Sequence, residues 1–117
     1  MNTRLMGAYG EQLAAKHLRL SGYRILAANY RTDVGEIDII AEKKKVICFV
    51  EVKTRKEGGM FSPADAVNYR KQENIRGSAA AYMNKYGLKN KMRFDIIEVL
   101  MSDNNTVSSI NHIENAF

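Results

Sequence analysis

The chain has 117 residues, 45% of them apolar and 26% charged, with a formal charge of +5. That length suits one domain with one core, spanning residues 1–117, and the composition is that of a soluble globular protein. No apolar run reaches the length of a membrane span, and the single cysteine, Cys48, excludes an internal disulfide. Residues 1–12, MNTRLMGAYGEQ, lack the apolar stretch of a secretion signal, so the cytoplasm is the expected compartment. Charge is unevenly spread. All 18 Lys and Arg lie in residues 1–93 against nine acids, while residues 94–117 hold four acids and no Lys or Arg. A basic body of this kind points to a polyanionic partner.

Residues 4–21 predict a helix, with Leu13, Ala14 and Leu18, joined by Tyr9 and Ala15, as its apolar stripe and Gly22 as its stop. Residues 23–30 are strand-like, and 31–35 turn the chain. Residues 36–41, EIDIIA, predict a strand, Glu42 to Lys45 a turn, and Val46 to Thr54 the next strand. A glycine-containing loop, KEGGMF, leads to Ser62-Pro63-Ala64-Asp65. That is a helix start: Ser62 caps, Pro63 suits the first helical position, and Asp65 complements the dipole. The helix is expected to run to Tyr86, with Val67, Ile75, Ala79, Tyr82, Met83 and Tyr86 inward. Residues 92–100 and 107–113 predict two last strands. The class is mixed α/β, with helices flanking a mixed sheet.

Side chains alternate along a strand, so Cys48, Val50 and Val52 face one way and Phe49, Glu51, Lys53 and Arg55 the other. Cys48 is expected to be a small buried hydrophobe. The strands 36–41 and 46–54 should form an antiparallel hairpin. A loop at Lys43-Lys44, or at Glu42 to Lys45, sets Asp38 opposite Phe49 and Glu36 opposite Glu51. Asp38 and Glu51 are then diagonal neighbours on one face, within about 8 Å. Two such carboxylates repel unless a cation lies between them. Lys53, Arg55 or a divalent metal could supply it, and Mg²⁺ favours carboxylate oxygens. The competing reading is a solvated face stitched by cross-strand ion pairs, though Phe49 demands cover.

The segments "YGEQLAAKHL", "GYRILAANYRTDVGEIDIIA", "FVEVKTR", "SPADAV" with Lys71, "RFDIIEV" and "HIENAF" together resemble the YraN family. These are small bacterial endonuclease-like proteins related to archaeal Holliday-junction resolvases. The resemblance runs from about Gly7 to Phe117. It implies the restriction-endonuclease-like, or PD-(D/E)XK, core: helix, three-strand meander, helix, strands. By resemblance Asp38 and Glu51 are the motif acids and Lys53 the motif lysine. Asp38, Glu51 and the Val52 carbonyl would bind Mg²⁺ or Mn²⁺, and Glu11 matches a helix acid that completes the metal site in resolvase relatives. Ile37 stands where the superfamily motif has proline.

Arg31, Arg55, Lys56, Lys71 and Arg70 flank the proposed site and are candidate phosphate contacts. The Lys43-Lys44-Lys45 tip is a further candidate, and the Gly58-Gly59 loop is a candidate for ordering on substrate. His17 and His112 do not form a metal spacing and are given no role. Asp95 is expected to be structural, paired with Arg93 or a neighbour. The expected function is Mg²⁺-dependent hydrolysis of DNA, branched DNA included, with no membrane and no small-molecule cofactor involved. Junction cleavage needs two sites, which makes a homodimer a natural arrangement. The alternatives are a non-catalytic DNA-binding accessory protein on the same fold, and an interaction module whose charges merely pair.

Overall fold

The computed structural model describes residues 2–58 and 67–117. Its elements run α1 (Thr3–Leu20), β1 (Arg24–Thr32), β2 (Gly35–Lys43), β3 (Val46–Lys56), α2 (Tyr69–Lys85), β4 (Lys91–Met101) and β5 (Val107–Ile113). The strands form one sheet in chain order, with β3 and β4 parallel and every other neighbouring pair antiparallel. The parallel pair follows from α2, which crosses over between them. The mixed α/β class expected from the sequence is the class found. Among the described residues no helix is long and apolar enough to cross a membrane.

Both sheet faces are covered. On one, Ala14 and Leu18 of α1 pack on Ile39, Cys48, Val50 and Val52. On the other, Ile75, Ala79, Tyr82 and Met83 of α2 pack on Ile40, Ile47 and Phe49. The strand alternation read around Cys48–Lys53 therefore holds, and both its faces are interior near Phe49. The Phe49 ring is fully buried, stacked 5.6 Å from Phe94 and edge-on to Tyr82 at 6.2 Å. Burial of such a ring contributes about 2–3 kcal/mol. Cys48 is also fully buried, and burial, then the charge of Asp95, pushes its thiol up to about 11. It behaves as an inert core side chain.

Four local expectations need correction. The β2–β3 loop is Lys44-Lys45, both left-handed (φ 50° and 67°), which is the geometry of a tight two-residue hairpin turn. The ladder therefore pairs Ile40 with Phe49 and Ile39 with Val50, two residues away from the expected register. An even shift keeps every side chain on its face, whereas a shift of one would have reversed them. Next, α2 begins at Tyr69: Asn68 is extended (ψ 171°) and its side chain accepts the Lys71 N–H at 2.9 Å. Val67 is thus buried but lies outside the helix. The expected start at Ser62–Asp65, and Gly59 of the loop before it, lie outside the described residues. Tyr9 within α1 and Tyr86 at the end of α2 are exposed rather than in the stripes. Finally, β1 and β2 extend into the expected turn, leaving only Asp33-Val34 as loop.

That hairpin tip docks on α2 at close range. Thr32 Oγ1 lies 2.7 Å from Ser78 Oγ, and a Cβ on Gly77 would crowd the Val34 side chain. On the other face Gly10 of α1 is in still closer contact: a Cβ there would collide with Thr54 Oγ1. At the far end of the sheet Asp95 is fully buried. It accepts from Arg93 Nε (2.9 Å) and Nη2 (2.8 Å) and from Asn115 N (3.0 Å), with His112 Nε2 at 2.7 Å. Burial would raise this carboxyl, but the His112, Arg93 and Asn115 hydrogen bonds more than offset it and hold it below the ordinary value. Asp95 is structural, as the sequence led us to expect. His112, given no role there, is one of its partners.

Two stability tests follow. Gly10→Ala should lower the urea midpoint, at a cost of about 1–3 kcal/mol from overpacking, and Thr54→Ala in the same chain should recover part of it. Arg93→Met, which strands the Asp95 charge in the core, should cost about 3–5 kcal/mol in the same assay.

Candidate functional site

The β2–β3 ladder stops at Ile39–Val50. Beyond it Ile37 packs toward α2 while Ile39 packs toward α1, although residues two apart in a regular strand share a face. The strand therefore twists out of regular alternation at Asp38. Opposite that point Asn29 on β1 is left-handed (φ 51°). Asp38 sits in the gap, and its Oδ2 accepts the Val52 N–H at 2.8 Å. The side chain replaces the backbone acceptor that β2 no longer offers β3.

Glu51 lies beside it, only 4% exposed. Its Oε2 is buried without a hydrogen bond of regular geometry among the described residues, and is held as an ion pair by Lys71 Nζ at 2.5 Å. Lys53 Nζ stands farther off, at 3.9 Å. The acid is thus compensated chiefly from α2, the element across the crossover, rather than by its strand neighbour. A cavity of about 400 Å³ opens here, lined by Gly35, Glu36, Asn68, Arg70, Lys71 and Asn74 around the two acids.

These placements divide the charge unequally. Burial, then the hydrogen-bonding and charge of Glu51, push the Asp38 carboxyl up to about 9, against the single Val52 N–H that favours ionisation. Burial would raise Glu51 too, but hydrogen bonds from Asp38 and Lys71 and the charges of Lys71 and Lys53 outweigh it and hold Glu51 below its ordinary value. The two shifts run in opposite directions, favouring the neutral form of Asp38 and the charged form of Glu51. Burial would lower Lys71, yet its bond to Glu51 raises it. Lys53 is lowered by burial and by the like charge of Lys71, despite the pull of Glu51.

Glu11 of α1 is on the other side of the gap. In the orientation that satisfies every partner, the Asn29 amide donates to Glu11 Oε1 (3.0 Å) and Glu36 Oε1 (3.1 Å). Burial, then Glu36, raise the Glu11 carboxyl. The described residues contain no group of three or more His, Cys, Asp or Glu close enough to hold a metal ion together. Asp38, Glu51 and the Val52 backbone are the groups the fold brings side by side, with Glu11 held toward Glu36.

Of the expected phosphate contacts, Arg31 is exposed and 3.6 Å from Glu36, Arg70 lines the cavity, Lys56 is exposed at the end of β3, and Arg55 is half-buried. Lys71 makes its contact with Glu51. Asn29 went unnoticed in the sequence, although an asparagine inside an otherwise apolar strand is a usable signal. The role of Lys71 toward Glu51 has no local signal, because it depends on where the crossover helix lands.

The sequence profile described as "Uncharacterised protein family UPF0102" matches residues 10–99. Curated relatives carry the same plain description. A UPF0102 protein of Alkaliphilus oremlandii is 50% identical, covering 100% of each chain. One from Caldicellulosiruptor bescii is 44% identical, again over 100% of each. One from Porphyromonas gingivalis is 42% identical over 95% of this chain and 82% of its own.

Asp38 gives a test of the charge division. Its folded value lies above its ordinary value of 3.8, so its protonation favours the fold. That stability is complete below about pH 4 and is lost as pH rises toward 9, by at most ~1.4 kcal/mol per unit. In divalent-free buffer, Asp38→Asn should gain on the wild type between pH 5 and pH 8, read from urea midpoints. Equal pH slopes would mean that Asp38 is ionised in the fold.

Proposed function

The chain belongs to the UPF0102 family, the YraN family of the sequence resemblance, and we propose that it is a metal-dependent endonuclease of DNA. The observation that carries this reading is the pairing of half-buried Asp38 with buried Glu51 at the split between β2 and β3. Structural acids are closed off by donors, as Asp95 is. Here the Asp38 carboxyl is raised, and among the described residues Glu51 Oε2 has the Lys71 ion pair but no hydrogen bond of regular geometry, beside an open cavity. Two carboxyl groups and a backbone carbonyl side by side offer the oxygen ligands that a hard divalent cation takes.

Asp38, Glu51 and the Val52 carbonyl would hold Mg²⁺ or Mn²⁺, and Glu11 would join through an outer contact. Bound there, the cation would polarise a phosphate and lower the pKa of an attacking water. The chain's own groups account for the rest. Lys53, depressed from its ordinary value, is placed to orient the water or to balance charge growing on phosphorus. Arg70 lines the cavity, Arg31 is exposed beside Glu36 of its lining, and Lys56 is exposed at the end of β3; all three suit backbone phosphates, which position DNA without reading its sequence. The element order helix, three-strand meander, helix, strands agrees with a restriction-endonuclease-like core. Branched DNA is the substrate class the resemblance favours, and a paired cut across a junction would take two copies of the chain.

The test is cleavage of linear, forked and four-way DNA with Mg²⁺ or Mn²⁺. Cleavage should require the metal and drop at least about 100-fold in Glu51→Gln and in Lys53→Met, with thermal melts close to wild type. If wild type leaves every DNA intact yet binds it with a steep salt dependence, the accessory DNA-binding function replaces this one.

A further inference from the structure

We propose that Lys71 is the resident counter-ion of Glu51 in the cation-free protein, and that divalent-cation binding displaces it onto a substrate phosphate. This rests on the metal reading above and adds to it a residue that changes partner. Glu51 is 4% exposed, and a carboxylate so buried requires a cation. Lys71 Nζ supplies it at 2.5 Å from Oε2. Lys71 and a divalent cation held by Glu51 would therefore compete for the charge of one carboxylate.

Of the two lysines around Glu51, Lys71 is the one built to leave. Its side chain is 43% exposed against 21% for Lys53. Its backbone is fixed, because its N–H donates to the Asn68 cap. Only the flexible stem must swing, and the cavity beside it gives room. An ammonium on a four-carbon stem can make that exchange, whereas a guanidinium fork held by two bonds would resist it. Arg70 precedes it in the same helical turn and lines the same cavity, so the displaced ammonium would join a cation already facing the substrate side. A phosphate there would receive the charge that the metal had expelled from Glu51.

The experiment measures Mn²⁺ affinity by electron paramagnetic resonance of free Mn²⁺, without DNA, for wild type, Lys71→Met and Arg70→Met. Lys71→Met should bind Mn²⁺ at least tenfold more tightly, because its competitor is gone. Arg70→Met, which removes an equal charge without touching Glu51, should change affinity by less than about threefold. Lys71→Gln, which keeps a donor for the buried oxygen, serves if the methionine variant does not fold. Unchanged or weaker Mn²⁺ binding in the Lys71 variants overturns the displacement while leaving the metal site standing. Absence of Mn²⁺ binding in every protein overturns both. As a second readout, Ca²⁺ should steepen the salt dependence of wild-type DNA binding by about one phosphate contact and leave that of Lys71→Met unchanged. An equal steepening in both would show that Lys71 does not reach the phosphate.

Discussion

The hydrogen bond from Val52 N–H to Asp38 Oδ2 is the interaction on which the site depends. A sheet strand that loses its neighbour leaves backbone donors unpaired, and a buried unpaired donor is costly. Here a side chain fills the place of the missing carbonyl. The substitution lets β2 and β3 part without stranding Val52, and the parting makes room for a carboxyl between two strands of a sheet covered on both faces. It also fixes the position of Asp38 relative to the carbonyl of Val52, because the N–H that Asp38 holds and that carbonyl belong to the same residue of β3, which pairs with β4 on its other edge. The twist at Ile37–Ile39 and the left-handed Asn29 are the local accommodations of that break.

Electrostatics then sorts the groups by what each can reach. Among the described residues Asp38 meets one neutral donor and its carboxyl is raised, whereas Glu51 meets two ammonium groups and is held below its ordinary value. The donors come from different layers: Lys53 from the same strand, Lys71 from the helix that closes the crossover. Docking of α2 is thus coupled to the charge state of Glu51. The same docking is enforced from the other side by the β1–β2 tip, where Thr32 meets Ser78 and Gly77 leaves room for Val34.

The alternation in FVEVKTR was legible because period two is a local property of extended backbone. The faces of Asp38 and Glu51 were legible for the same reason. They survived a register error because the Lys44-Lys45 turn moved the pairing by two and not by one. The start of α2 was misread at Val67 and Asn68: the Ser62–Asp65 signals are strong locally, but Asn68 caps the helix found here. Partners distant in sequence were not legible. Nothing near Lys71 says that it will lie on Glu51, and nothing near His112 says that it will lie on Asp95, 17 residues away on the neighbouring strand. Asn29 was readable in principle, as a weak strand former inside a strand, but the two acids it bridges lie on separate elements.

Two of the buried acids in this sheet make an internal comparison. Asp95 is fully buried and meets four donor groups, from Arg93, His112 and the Asn115 backbone. Its valence is filled, its depressed titration reflects that, and removal of any one donor would only damage the core. Glu51 is nearly as buried, yet its Oε2 has one close cation whose own side chain reaches solvent. A fold selected for stability alone has no reason to leave a buried carboxylate oxygen in that condition, since an apolar residue of similar volume would serve as well or better. The difference between a saturated acid and an exchangeable one, present in the same chain under the same solvent exclusion, separates scaffold from site more sharply than burial or charge taken alone.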